Sequence, residues 1–185
     1  MSAQTSFRTA EAEETLRVMA HIRDLNRIVA ESVLAPPVAS DAAAGVGVQR
    51  LEALPFLLVT FRFSDHEFWR ARAWDTSPGI DRAVQPDAQV QLARHLLSVA
   101  WHSGRAGVGP RLMLGIAREV GELITMLRFS QLDAIASAHA TDVQRRWVEV
   151  PDFWAQLLRC AQADNEARWS RFQLHALRLL GREQL

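Results

Sequence analysis

Apolar residues recur at spacings of three and four along most of this chain, which restricts it to helices packed along one face. Leu16, Met19, Ile22, Leu25, Val29 and Val33 draw one such stripe, behind a short polar leader at residues 1–9. Glu11, Glu13 and Glu14 suit the positive end of that helix. Pro36 and Pro37 stop it. The small-residue stretch from Ala35 to Gly47 reads as a loop. Leu54 to Phe63, LPFLLVTFRF, breaks the helical period, because Val59, Phe61 and Phe63 alternate. That pattern fits either a short strand or a buried helix end. Ser64-Asp65 then caps a tryptophan-rich helix over His66–Trp74, and residues 75–87, with Pro78, Gly79 and Pro86, form a linker.

Beyond the linker the spacing predicts a helix from Asp87 to Ser103, broken by Gly104 to Pro110. A second helix covers Arg111 to Leu127. A tight turn at Arg128-Phe129-Ser130 leads into a third, Gln131 to Ala140, with Ser130 and Asp133 as cap and acid. From Pro151, placed at a first turn, helical pattern runs almost to the end, with a bend at Gln162 to Asn165 and a C-cap at Gly181. The expectation is an all-α helical bundle with a helix-turn-helix-like element, and with room for two short strands at the arginine–aromatic segments. Helix, turn, helix is also the ordinary way for two packed helices to connect.

The 185 residues suffice for one ordinary domain or two small ones. Their formal net charge is zero, which argues against a broad non-specific grip on nucleic acid but leaves room for a local basic patch. Every basic residue is arginine. Cys160 is the single cysteine, which excludes an internal disulfide and a zinc site built mainly on thiolates. No apolar run reaches the roughly 20 residues of a membrane span, and the acidic start does not resemble a secretory signal. The expected location is the cytoplasm, with no membrane partner.

One motif occurs twice. Arg62-Phe63 precedes Phe68-Trp69 in RFSDHEFW, and Arg146-Trp147 precedes Phe153-Trp154 in RWVEVPDFW. Each follows an apolar stretch and opens a helix beginning with an acid and Phe-Trp, with one residue of difference in spacing. A tandem duplication jointed at residues 75–87 would produce this echo.

Two segments resemble the FlhD family of flagellar transcriptional regulators. LARHLLSVAW, LMLGIAREVGELITMLRFSQLDAIASA and VQRRW follow that family's order, with Leu114, Gly115, Ile116, Glu119, Leu123, Leu127, Gln131, Leu132 and Ala136 at matching positions. HIRDLNRIVAES and LLVTFRFSDH resemble its start and its arginine–phenylalanine signature. The resemblance implies a truncated FlhD-like half at 1–74, a linker at 75–87 and a fuller half at 88–185, joined as a covalent pseudo-dimer. It implies a subunit that regulates transcription with a second, FlhC-like subunit and reaches DNA through that complex. A homo-oligomer is compatible with it. Val59 and Val143 stand where family members can carry a cysteine, so a disulfide-linked dimer is not implied.

No catalytic constellation emerges, and the expectation is a binding protein rather than an enzyme, with no cofactor and no metal. His95 and His102 share a helix face but stand two turns apart, too far to bind one ion without help. His66, between Asp65 and Glu67, reads as a solvated cap. The glycine-rich stretches at Gly45 to Gly47 and Gly104 to Gly109 lack the lysine of a phosphate loop. Arg145 and Arg146, with Arg118 and Arg128, form the densest basic group and are the candidates for contact with a partner or with DNA phosphates. Phe63, Phe68, Trp69, Trp147, Phe153 and Trp154 are the candidates for a protein interface. The alternative function is a helical adaptor or chaperone-like protein of a motility or secretion system, without DNA binding.

Overall fold

Why the molecule is helical is plain from its apolar faces, and a computed structural model describes residues 2–34, 41–74 and 87–183. Helix α1 spans Ser2–Leu34 and buries Val18, Ile22, Leu25, Asn26, Val29 and Ala30 along one stripe. It begins well before the expected leader ends, because no proline or glycine interrupts residues 2–9. The acids therefore do not lie in its first turn. Helix α2 spans Asp41–Glu52, where a loop was expected. It packs on α1 and buries Gly47 and Leu51, and tertiary packing overrides the weak local propensity. Residues 35–40, and all of the expected linker at 75–87 except Asp87, which opens the next helix, lie outside the described residues.

The LPFLLVTFRF segment resolves as loop and strand. β1 is Val59–Thr60 and pairs antiparallel with β2, Gln144–Arg145, with Val59 opposite Arg145 and Thr60 opposite Gln144. Asn26 holds this segment from beneath. Its Nδ2 donates to the Phe56 carbonyl at 2.9 Å, and its Oδ1 accepts from Leu58 N–H at 3.0 Å. A buried asparagine thus satisfies two backbone groups that so short a ladder leaves unpaired. Helix α3 covers His66–Trp74 as the spacing predicts, and Asp65 Oδ1 accepts from Phe68 N–H at 2.9 Å to cap it.

In the second half α4 spans Asp87–Ala106, α5 Val108–Leu114, α6 Arg118–Met126 and α7 Phe129–Ala138. The expected helix from Arg111 to Leu127 is therefore two helices. The break falls at Gly115, which has φ of 70°, a conformation that costs other residues about 1–2 kcal/mol. At α7 the cap differs from expectation: the Gln131 side chain accepts from Arg128 N–H at 2.9 Å, and Ser130 lies inside the helix. A 3₁₀ turn, Ala140–Asp142, leads to β2. Helices α8, Phe153–Gln162, and α9, Glu166–Arg182, close the chain, with the expected bend between them. Asn165 caps α9 by accepting from Arg168 N–H at 2.9 Å, and Gly181 falls inside that helix rather than ending it.

The packing repeats itself across the chain. α1 packs on α4, and β1 on β2. α2 packs on α1 as α6 packs on α4, and α2 meets α8 as α6 meets α3. Exchanging α1, α2, β1 and α3 for α4, α6, β2 and α8 leaves this pattern unchanged. The α4–α6 crossing is close, since a Cβ at Gly104 would stand 2.6 Å from Thr125 Cγ2 and 3.0 Å from the Gly121 carbonyl oxygen. One apolar cluster runs through every helix from α1 to α9, so the core lies between the halves as much as within them.

Candidate functional site

The repeated arginine–aromatic motif is built twice with the same chemistry. Two residues past β1 the backbone turns through Arg62 at φ 47°, and two residues past β2 it turns through Trp147 at φ 57°. Neither is glycine, so each corner needs support from elsewhere. The following helix supplies it. Trp69 Nε1 donates to the Arg62 carbonyl at 2.8 Å, and Trp154 Nε1 donates to the Arg146 carbonyl at 2.7 Å. An arginine also lies over an aromatic ring in each copy, Arg62 over Phe68 at 4.8 Å and Arg145 over Trp154 at 5.4 Å.

Most of the expected interface aromatics therefore face inward. Phe63, Phe68, Trp69, Trp147 and Phe153 are buried, and only Trp154 is partly exposed. They pack inside one chain: Phe63 stacks on Trp69 at 6.4 Å, and between the halves Phe56 meets Trp147 edge-on at 5.4 Å and Phe68 meets His139 edge-on at 5.2 Å. The expected basic group loses one member to the interior. Arg146 is 3% exposed, ion-paired with Glu183 through Nη2 and through Nε at 3.0 Å, with Nη1 near the Leu57 carbonyl. A guanidinium buried this far survives by full pairing and has no face left for a phosphate. Arg118, Arg128 and Arg145 are exposed, and Arg118 pairs with Glu122 at 3.1 Å. α7, the second helix of the helix-turn-helix outline, carries no basic residue.

One polar cluster has the outline of an acid–base pair. His139 Nδ1 lies 3.4 Å from Asp142 Oδ2, which also meets Arg62 Nε at 3.4 Å. Arg72 Nη2 is 2.9 Å from His139 Nε2. A guanidinium can only donate, so Nε2 accepts and the ring proton sits on Nδ1, facing the carboxylate. Burial, and then the neighbouring Arg72, hold His139 below its ordinary range. With both nitrogens engaged, this histidine serves as a strut between α3 and the 3₁₀ turn. Among the described residues no group of three or more histidine, cysteine or acidic side chains could hold a metal, and no helix is long and apolar enough to cross a membrane.

Among the described residues, two surfaces outside the core stand out. The first lies where the end of α4 meets the α6–α7 turn. Trp101 Nε1 donates to the Leu127 carbonyl at 3.1 Å, and its ring lies 4.7 Å from Phe129 and 5.0 Å from His102. Arg105 stacks over Trp101 at 3.7 Å. Phe129 is 54% exposed and Met126 60%. An indole anchored by its own N–H, with aromatic, methionine and arginine neighbours open to solvent, has the composition of an interface centre. The second is the outer face of α9, where Arg168, Arg171, His175, Arg178 and Arg182 are all exposed. Sequence reading by contiguous arginines passes over this face, yet its spacing of three and four is as legible as the apolar stripes.

No protein-family model, no curated protein and no solved structure matches the chain.

Proposed function

We propose that the chain is an FlhD-like regulatory subunit that assembles with a second, FlhC-like subunit and acts on transcription through that complex. The observation that carries this reading is the pairing of the two arginine–aromatic elements with each other, β1 against β2, each corner tied by a tryptophan. A duplicated binding unit, jointed within residues 75–87, supplies from one chain what would otherwise need two. The Trp101–Phe129 surface is where the second subunit docks, because a pre-organised, solvent-exposed aromatic cluster gains most from being covered.

Coexpression with the FlhC-like protein of the same organism, followed by light scattering on the eluted complex, tests the assignment. A stoichiometric complex is expected, and Phe129→Ser should weaken it at least tenfold, as loss of about 1.4 kcal/mol or more at an interface centre implies. No complex at micromolar concentrations would remove the reading. Zero net charge and the absence of basic residues from α7 favour, as second reading, a helical adaptor that meets only proteins.

A further inference from the structure

Charge on α9 is sorted by face. Arg168, Arg171, His175, Arg178 and Arg182 follow spacings of three, four, three and four, so they form one stripe about 21 Å long at 1.5 Å per residue. All five are exposed. Among the described residues none of the four arginines has an acidic partner; Arg171 Nε reaches only the Ala167 carbonyl of its own helix. The two acids at the ends of α9 point elsewhere, Glu166 to Arg50 and Glu183 to the buried Arg146. In a chain of zero net charge, this is a local concentration of four unpaired guanidiniums along a straight line.

We propose that this stripe is a phosphate-contacting surface for double-stranded DNA. A row of positive charge of this length matches a linear polyanion, and the guanidinium fork binds phosphate oxygens in pairs. A lipid surface fits less well. An interfacial helix must insert an apolar face, and Trp169, Phe172, Ala176 and Leu180 are already committed to the core. Leu174 and Leu177, the exposed leucines of α9, lie off the basic line. The proposal deepens the regulatory reading and rests on it for choosing duplex DNA among polyanions. It places the contact on α9 rather than on the helix-turn-helix outline of α6 and α7.

The test is fluorescence anisotropy with a labelled 30-base-pair duplex, across 50 to 200 mM salt, on the full chain alone and with its second subunit. Three proteins are compared: wild type, the Arg168→Gln, Arg171→Gln, Arg178→Gln, Arg182→Gln variant, and a control with Arg17, Arg23, Arg27 and Arg70 changed to glutamine. Circular dichroism confirms the fold, and the Arg171→Gln, Arg178→Gln pair serves if the quadruple variant is unstable. Four phosphate contacts predict that wild-type affinity falls about a hundredfold more across that salt range than the stripe variant's. The control should follow wild type. Equal binding by wild type and stripe variant overturns the proposal, as does wild type that binds vesicles containing anionic lipid or poly-glutamate but no duplex. A second-subunit complex that forms while the stripe variant still binds DNA sinks this inference alone. Stripe-dependent DNA binding without any complex sinks the assembly reading alone.

Discussion

Arg146 and His139 show how little a residue's type says about its task. Arg146 lies beneath Gly115, where any Cβ would overlap its guanidinium, so the Leu-Gly-Ile motif and the second arginine–aromatic motif require each other. Burial and Arg72 hold His139 below its ordinary range, and His95 is lowered too, by burial and by His21, whose ring lies 5.8 Å away. Both folded-state values lie below the unfolded value of about 6.5. The unfolded chain therefore takes up protons first as pH falls. The stability these residues contribute is present above pH of about 6.5 and is lost as pH drops through it toward the folded value. Thermal unfolding should thus shift to lower temperature between pH 7.5 and 5.5, and His139→Gln should flatten part of that slope. A variant with the wild-type slope would show that His139 is not one of the groups responsible.

At the scale of elements, the two corners after β1 and β2 depend on indole N–H groups from α3 and α8. Trp69 is fully buried and Trp154 only partly. Trp69→Phe removes one of two bonds to the Arg62 carbonyl, which keeps the Asp65 N–H at 2.9 Å, and opens a void, for a cost of about 1–2 kcal/mol. Trp154→Phe takes the indole donor from the carbonyl of the buried Arg146 and should cost about 1–3 kcal/mol. Urea midpoints at unchanged m-value measure both; a change near zero for Trp154→Phe would mean that the second corner is held by something other than this bond. The same elements show what local pattern can reveal. The bounds of α3 were legible because Asp65 caps it and aromatic spacing continues to Trp74. The division of α5 from α6 was not, since an isolated glycine in an apolar helical run is tolerated and carries no signal of its own. The approach of Arg146 from far along the chain adds a tertiary demand for glycine at the left-handed cap of α5, since a Cβ at residue 115 would meet its guanidinium.

For the whole molecule, the continuous core implies that neither half is stable without the other. α1 rests on α4, α3 on α6, α2 on α8, and Arg50 of α2 donates to the carbonyls of Cys160 and Ala161 at 3.4 Å, ending α8. Such carbonyls lack helical partners and need an outside donor. Urea unfolding followed by tryptophan fluorescence and by far-ultraviolet circular dichroism should give one coincident transition. Two separated transitions would show two independent domains instead. The sequence by itself determined the helical class, the cap of α3, the bend before α9, the echo of the arginine–aromatic motif and the basic spacing of α9. Each of these depends on neighbours a few residues apart. Tertiary structure alone decided that the echoed strands pair, that most of their aromatics are buried in the core, and that Arg146 is buried while the arginines of α9 stay open. Those outcomes depend on which faces meet, and a guanidinium is withdrawn or displayed according to whether a carboxylate such as Glu183 reaches it in the core.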